Sequence, residues 1–386
     1  MGERRILQFC HCHYGPFADV ARQYAVLFRD SPYKVTTVFL TDPPSDEVAA
    51  QAASDEVIFL DYAGKDVRGL KLDAIRRIRR LVAEREFALV IAHRFKPIYI
   101  SCLATGLPVI GVHHAFGDYC RPARRVFANF FRKRLSLLGV SDAVRDDIRA
   151  CLPSWPADRI ETLYNHIDAE AVRRDLLPRA AAREALGLPQ DTFVIGNAGR
   201  LHPDKDQATL IRGFAKALPG LPPSSLLAIM GRGPLEADLK ELARQLNVAS
   251  RVCFLGQIPN GRRYFKAFDL FALTSDHEPF GMVLLEAFAA GVPVVCSDCG
   301  GGREVVEGVG RLFAFGDEGS LATELQQSIG QTETCGGERL ERCFSDRAAR
   351  QSFWQLPMCE QLLGENGHLR SATRPSASRP GSPRNR

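Results

Sequence analysis

Short apolar runs rich in β-branched residues recur along this chain, and each ends in polar residues. They fall at 5–12 (RILQFCHC), 34–40 (KVTTVFL), 56–60 (EVIFL), 87–92 (FALVIA), 108–112 (PVIGV) and 136–140 (SLLGV). Between them lie stretches with helical spacing, notably 17–28, 70–83 and the segment after Ser141, whose side chain suits a helix N-cap. Strands without polar alternation are buried on both faces, and alternation with helices implies parallel βαβ units. A second series follows residue 168, with strands at 193–198, 225–230, 252–255, 270–273 and 292–296 and helices at 207–218, 235–246 and 282–290. The segment 168–190, helical, polar and punctuated by Pro178 and Pro189, reads as the crossing between the two series. The expected organisation is an α/β domain over 1–168, a second over 169–350, a C-terminal helix over 351–365 returning to the first domain, and a basic disordered tail over 366–386.

Composition narrows the classes. The 386 residues suit two domains, and 45% apolar with 25% charged residues is a globular balance. No apolar run reaches the roughly 18 residues of a membrane span, and MGERRILQFC lacks the apolar core of a signal peptide, so a cytoplasmic protein is expected. Eleven scattered cysteines, an odd number, favour reduced thiols. The net charge of +5 is uneven: residues 1–168 carry 24 Lys/Arg against 20 Asp/Glu, and the tail carries five Arg and no acid. This bias is too small for a dedicated nucleic-acid binder, but suits an acidic acceptor or an anionic membrane surface.

Ligands of parallel sheets sit beyond the carboxyl ends of the strands. In the first half those positions hold His11, His13, His93, His113 and His114. In the second, GRLHPDK (199–205) places Arg200 and Lys205 after a strand, where two cations near a helix start can hold a diphosphate; the bland alternative is a pair of solvated charges. The segment from Thr274 to Val295 then offers Gly281 at a helix start, where backbone N–H groups can approach an anion, and two carboxylates, Glu278 and Glu286. Carboxylates do not bind phosphate; sugar hydroxyls are their natural partners. Glu286 lies within an apolar helix, so it needs hydrogen-bond donors. The bland alternative pairs it with Arg303 or Arg200.

The ordered segments GRLHPDK (199–205), GRGP (231–234), VCFLG (252–256), SDHEPFGMVLLE (275–286), AGVPVV (290–295) and GGGRE (300–304) resemble the nucleotide-sugar domain of glycosyltransferase family 4. The E-x7-E pair Glu278 and Glu286 is the most specific mark. The likeness is close over 190–315 and looser before it. It implies the GT-B architecture, two Rossmann-like domains facing across a cleft, and transfer of a sugar with retained configuration from a nucleotide sugar, without metal or cofactor. Carried over by position, it implies that Arg200, Lys205 and the N–H groups of Gly281, Met282 and Val283 hold the diphosphate. Glu286 would take the ribose hydroxyls, Glu278 the transferred sugar, and Gly231, Gly256 and Ile258 would flank the base. PVIGVHH resembles the strand whose terminal histidine faces the donor sugar: His114, with His113 as the neighbouring option. The family's paired glycines after the first strand are reduced here to Gly15, and its N-G-x-D sequence reads Asn165-His166-Ile167-Asp168.

HCHYGPFADVARQYAVLF, AHRFKP and GVHHAFGDY in the first half resemble bacterial lipopolysaccharide-core glycosyltransferases, which implies a UDP-linked hexose donor and a glycan or glycolipid acceptor. A nucleotide-sugar epimerase of the same fold and a non-catalytic sugar-binding scaffold are the rivals; the intact Arg200, Lys205, Glu278 and Glu286 set speaks against the scaffold. Cys10-His11-Cys12-His13 alternates across a strand, so its four side chains face two ways and do not converge on a metal. Cys296 and Cys299 form a lone C-x-x-C with no second pair at zinc spacing. Residues 119–135 hold six cations and no acid, interleaved with Phe127, Phe130 and Phe131. A solvated face is the default; docking to an anionic membrane or a phosphorylated acceptor is favoured.

Overall fold

The computed structural model describes residues 4–14, 16–331 and 335–364. Gly15 and the 366–386 tail lie outside the described residues. Two parallel sheets carry the molecule. The first contains β1 (Arg5–Cys10), β2 (Lys34–Thr41), β3 (Glu56–Tyr62), β4 (Phe87–His93), β5 (Val109–His113), β6 (Leu135–Gly139) and β7 (Ile160–Thr162), in the order β3-β2-β1-β4-β5-β6-β7. The second contains β8 (Val194–Ala198), β9 (Leu226–Met230), β10 (Val252–Gly256), β11 (Leu270–Leu273), β12 (Val294–Ser297) and β13 (Arg311–Phe313), in the order β10-β9-β8-β11-β12-β13. This is the doubly wound α/β pair that the alternation implied. In each sheet the chain order reverses once, between β1 and β4 and between β8 and β11, and such switch points open a crevice for ligands.

Several local expectations shift. β1 stops at Cys10, so Cys12 and His13 belong to the loop, where the His13 ring contacts the Pro43 carbonyl at 2.8 Å. The crossing is two helices, Ala169–Asp175 and Arg179–Leu186, separated at Leu176–Pro178 because proline biases the residue before it away from helix. The glycines at 300–302 begin the helix Gly300–Val306. Glycine propensity argues against that helix. Close packing overrides it: a Cβ on Gly301 would lie 2.3 Å from the Pro279 carbonyl oxygen, and Gly301 N donates to the Glu278 carbonyl at 2.8 Å.

After β13 the chain returns to the first domain through the helices Asp346–Trp354 and Pro357–Leu363. Phe353 packs edge-on against Phe28 at 5.4 Å, Trp354 Nε1 donates to the Leu27 carbonyl at 2.9 Å, and Tyr33 OH donates to the Leu363 carbonyl at 3.2 Å. Asp346 accepts two bonds from Arg22 at 2.7 and 3.1 Å and contacts His166 Nδ1 at 2.7 Å. Burial works against ionisation of Asp346, but the His166 and Arg22 contacts outweigh it and hold the carboxyl well below the usual range. The pair is partly buried, so removing one member leaves the other charge poorly solvated and destabilises the fold.

Three further contacts set the cleft. Tyr164, Phe280 and Phe344 pack mutually at 5.5–6.1 Å. Glu304, from the second domain, accepts from the N–H groups of Asp142 and Ala143 at 2.8 and 2.7 Å, at the start of the helix Asp142–Cys151. Ser141 Oγ takes the Val144 N–H of the same turn. A helix start leaves four N–H groups unpaired and favours negative charge, so the first domain supplies one cap and the second a carboxylate. No helix among the described residues is long and apolar enough to cross a membrane.

Candidate functional site

β8 and β11 are neighbours at the second switch point, so the loops that leave them meet. From β8 the chain passes Gly199 and Arg200 to a 3-10 turn, Pro203–Lys205; from β11 it passes Thr274 and Ser275 to Glu278. Thr274 Oγ1 donates to the Lys205 carbonyl at 3.0 Å, and Asp276 N to the Asp204 carbonyl at 3.0 Å, which fixes one loop against the other. Lys205 Nζ then lies 2.7 Å from Glu278 Oε2, and Ser275 Oγ donates to the same oxygen at 3.1 Å. Glu278 is only 8% exposed. A carboxylate so enclosed needs both partners. Arg200 behaves differently: its side chain is 71% exposed and reaches Asp204 at 3.4 Å. Its guanidinium is open to solvent at the edge of the site, whereas the Lys205 ammonium is held by Glu278.

Gly281 caps the helix Met282–Ala290 with φ +93°, a left-handed conformation where a Cβ would also press on Leu284 at 2.8 Å. The N–H groups of Met282 and Val283 therefore open the helix beside Glu278 with no intrahelical partner. One turn on, Glu286 is half-buried and accepts no hydrogen bond among the described residues. The alternatives that paired it with Arg303 or Arg200 are overturned: Arg303 bonds Asp298 at 2.8 Å and Glu307 at 3.3 Å, and Arg200 bonds Asp204. Burial pushes the Glu286 carboxyl up to about 7; the charge of Arg262 works against this and that of Asp19, from the first domain, adds to it. Gly231, at φ +144°, lets the loop after β9 close on that after β8, since a Cβ there would sit 1.8 Å from the Gly199 carbonyl oxygen. Its N–H donates to the Gly256 carbonyl at 2.8 Å, and half-buried Ile258 follows.

Across the cleft the two histidines after β5 separate. His113 is fully buried: Nδ1 lies 2.7 Å from Asp118 and Nε2 3.2 Å from Tyr119 OH. Both nitrogens are spent inside the first domain, which corrects the expectation that His113 could face a donor. His114 is half-buried at the strand end, and its Nε2 lies 3.2 Å from His93 Nδ1. Burial, then the neighbouring His113 and Arg94, push its imidazole down to about 3, so the ring is neutral at pH 7. Two residues on, Phe116 packs edge-on against His277 at 6.2 Å, beside Glu278. His11, Thr41, Asp42, Tyr62 and Lys96 line a cavity of about 400 Å³ at the ends of β1 to β3. Among the described residues no three His, Cys, Asp or Glu side chains are grouped as a metal site.

Sequence reasoning missed Ser275, Glu304, the meeting of His93 with Gln8, and the influence of Asp19 on Glu286. Glu304 had a signal, standing in GGGRE; for the others only strand order reveals the neighbours.

Two family models match this chain: Glycosyl transferases group 1 over residues 178–336 and Glycosyltransferase Family 4 over residues 19–171. A D-inositol 3-phosphate glycosyltransferase of Stackebrandtia nassauensis is 37% identical over 202 residues, covering 49% of this chain and 44% of that protein. The chain spans about half the length of the curated relatives it matches. Among solved structures, Anabaena Alr3699/HepE in complex with UDP and glucose superposes with a TM-score of 0.73 at 23% identity, covering 93% of this chain and 99% of that one. The lipopolysaccharide outer core galactosyltransferase WaaB in its apo form superposes at 0.69 and 18%, covering 92% and 99%; at these identities the likeness is one of fold. With a family model on each of the two doubly wound domains, the chain belongs to the GT-B glycosyltransferases of family 4.

Proposed function

We propose that the protein is a retaining, metal-independent glycosyltransferase that moves a hexose from a UDP-linked sugar to a membrane-associated glycan, with a lipopolysaccharide-core oligosaccharide as the favoured acceptor. The observation that carries this is the Lys205–Glu278 contact of 2.7 Å beside the open helix start at Gly281. It sets an anion site and a hydroxyl-binding carboxylate side by side, as transfer from a sugar diphosphate requires. The HepE complex with UDP and glucose, and the WaaB fold, support the donor and the acceptor class.

In this scheme the diphosphate lies against the N–H groups of Met282 and Val283, with Arg200 and Lys205 taking up the charge that grows on the leaving group. Fixed cations and helix dipoles do this without reorganising during the reaction. Glu278 holds the hydroxyls of the moving sugar, and Glu286 those of the ribose. Gly231, Gly256 and Ile258 flank the base. Acceptor and leaving group occupy the same face of the sugar, so the departing phosphate oxygen takes the acceptor's proton.

A second reading of the acceptor has its own support. The 400 Å³ cavity with His11, Thr41, Asp42, Tyr62 and Lys96 suits a small phosphorylated polyol, as the name of the inositol 3-phosphate relative suggests. The membrane reading is favoured by the outer face of the helix Pro122–Phe131. There Val126 is 70% and Phe130 79% exposed, among Arg121, Arg125, Arg132 and Lys133. Leu70 and Leu72 are exposed too, and Lys71 lies over Tyr99, which packs on Phe127, so the two apolar patches adjoin. Apolar side chains ringed by cations fit an anionic bilayer surface, which supports the reading of a cytoplasmic enzyme docked on the inner membrane face.

Glu278→Gln is expected to lower sugar transfer by at least about a hundredfold and also to lower the melting temperature, because Lys205 loses its charged partner; near-normal turnover by the folded variant would remove Glu278 from its role. Because ribose hydroxyls donate to an ionised carboxylate, UDP should bind more tightly as pH rises through about 7, where Glu286 loses its proton. Calorimetry should show this dependence, and Glu286→Gln should flatten it; the same pH dependence in that variant would contradict the assignment. Vesicle sedimentation should show binding to anionic but not neutral lipid, weakened by salt and by Phe130→Ser. Equal binding to neutral vesicles would count against the membrane reading.

A further inference from the structure

The strap between β5 and the helix Pro122–Phe131 is tied to the helix Asp142–Cys151 at two points, and the second joins two thiols. Gly117 N donates to Asp147 Oδ2 at 2.8 Å. Gly117 has φ +75° and opens a turn in which Cys120 N donates to the Gly117 carbonyl at 3.2 Å. That turn brings Cys120 Sγ to 3.8 Å from Cys151 Sγ. Asp147 and Cys151 stand four positions apart on one helix, so they share a face and the two ties lie one turn apart. Both thiols are free.

The two sulfurs differ in a way that suits exchange with a disulfide. Cys120 is exposed, exposed Arg121 adjoins it, and the charge of Arg125 reaches Cys151. Such cations draw a negatively charged reagent to the pair. Cys151 is half-buried; burial, then the hydrogen bond with Cys120, pushes its thiol up. Cys120 is therefore the thiol that meets the reagent and Cys151 the one that resolves. Bond formation needs the sulfurs to close by about 2 Å, a shift within reach of an exposed loop residue.

We propose that Cys120 and Cys151 are a thiol–disulfide site that low-molecular-weight disulfides oxidise, stapling the strap to the helix Asp142–Cys151. The Cys120 thiolate attacks one sulfur of the reagent and displaces one thiol. The Cys151 thiolate then attacks Cys120 Sγ and displaces the second. The two protein thiols lose two electrons and two protons, and the reagent leaves as two thiols; excess thiol reverses both steps.

The staple bears on the cleft. Phe116 on the strap packs on His277, beside Glu278, and a Cβ on Gly300 would lie 3.2 Å from the Phe116 ring. The far end of the stapled helix holds Glu304 of the second domain. Both contacts join the domains, so the oxidised pair fixes strap and helix to each other where the domains meet. A slower sugar transfer in the oxidised form rests on the proposed glycosyltransfer; the disulfide does not.

The test treats the full chain with oxidised glutathione, blocks the remaining thiols and maps the peptides by mass spectrometry. The expected product links Cys120 to Cys151 with loss of two hydrogens. Because the cross-link spans 31 positions and constrains the unfolded chain, the melting temperature should rise, and hydrogen exchange across residues 114–120 should slow. Dithiothreitol should reverse all of this, and Cys120→Ser and Cys151→Ser should each abolish both shifts. Glutathione left on Cys120 with Cys151 free, or no reaction at either, would overturn the site. A cross-link that leaves exchange of the strap unchanged would overturn the staple. A reversible cross-link in a protein that turns over no nucleotide sugar would sink the proposed function and leave the site standing.

Discussion

The contact between Lys205 and Glu278 is the one on which the rest of the cleft depends. Each side chain stands at the carboxyl end of a different strand, 73 positions apart in sequence. They meet because β8 and β11 are adjacent at the reversal of strand order. The enclosed carboxylate is stabilised by the lysine and by Ser275, and its own backbone carbonyl receives Gly301. The acid, the cation, the helix start at Gly281 and the helix after β12 are therefore parts of one assembly. In the proposed function an anion arriving at Arg200 and the N–H groups of Met282 and Val283 would draw on the same lysine, which would couple donor binding to Glu278.

The back of that assembly holds the two domains. Phe280, next to Gly281, packs with Tyr164 and Phe344, and Glu304 caps a first-domain helix. Asp346 ties the returning C-terminal helix to Arg22 and His166. Arg22 also reaches Asp19 at 3.3 Å, the acid whose charge acts on Glu286. The residues that set the opening of the cleft are thus one or two contacts from those that line it.

Much of this was legible in the sequence, for physical reasons. Parallel strands covered on both faces leave unbroken apolar runs, so both sheets stood out, and Glu278 and Glu286 were conspicuous as acids in an apolar setting. Three-residue β7 and β13 were too short to leave a pattern. His113 and His114 could not be separated by spacing alone: successive side chains at a strand end face opposite ways, and only the packing of Asp118 and Tyr119 shows which one turns inward. Gln8 and His93 lie 85 positions apart, and their meeting depends on strand order. Lys205 and Glu278 were each singled out, but as parts of separate tasks; their direct contact is information held in the fold.

The central claim is that this cleft takes a nucleotide sugar across the Lys205–Glu278 contact. A panel of nucleotide sugars, each measured by calorimetry for binding and by nucleoside diphosphate release for turnover, tests it most directly. A UDP-linked hexose should bind and release UDP, and Lys205→Ala should weaken that binding. Absence of binding by every member of the panel, or binding indifferent to Lys205, would contradict the account.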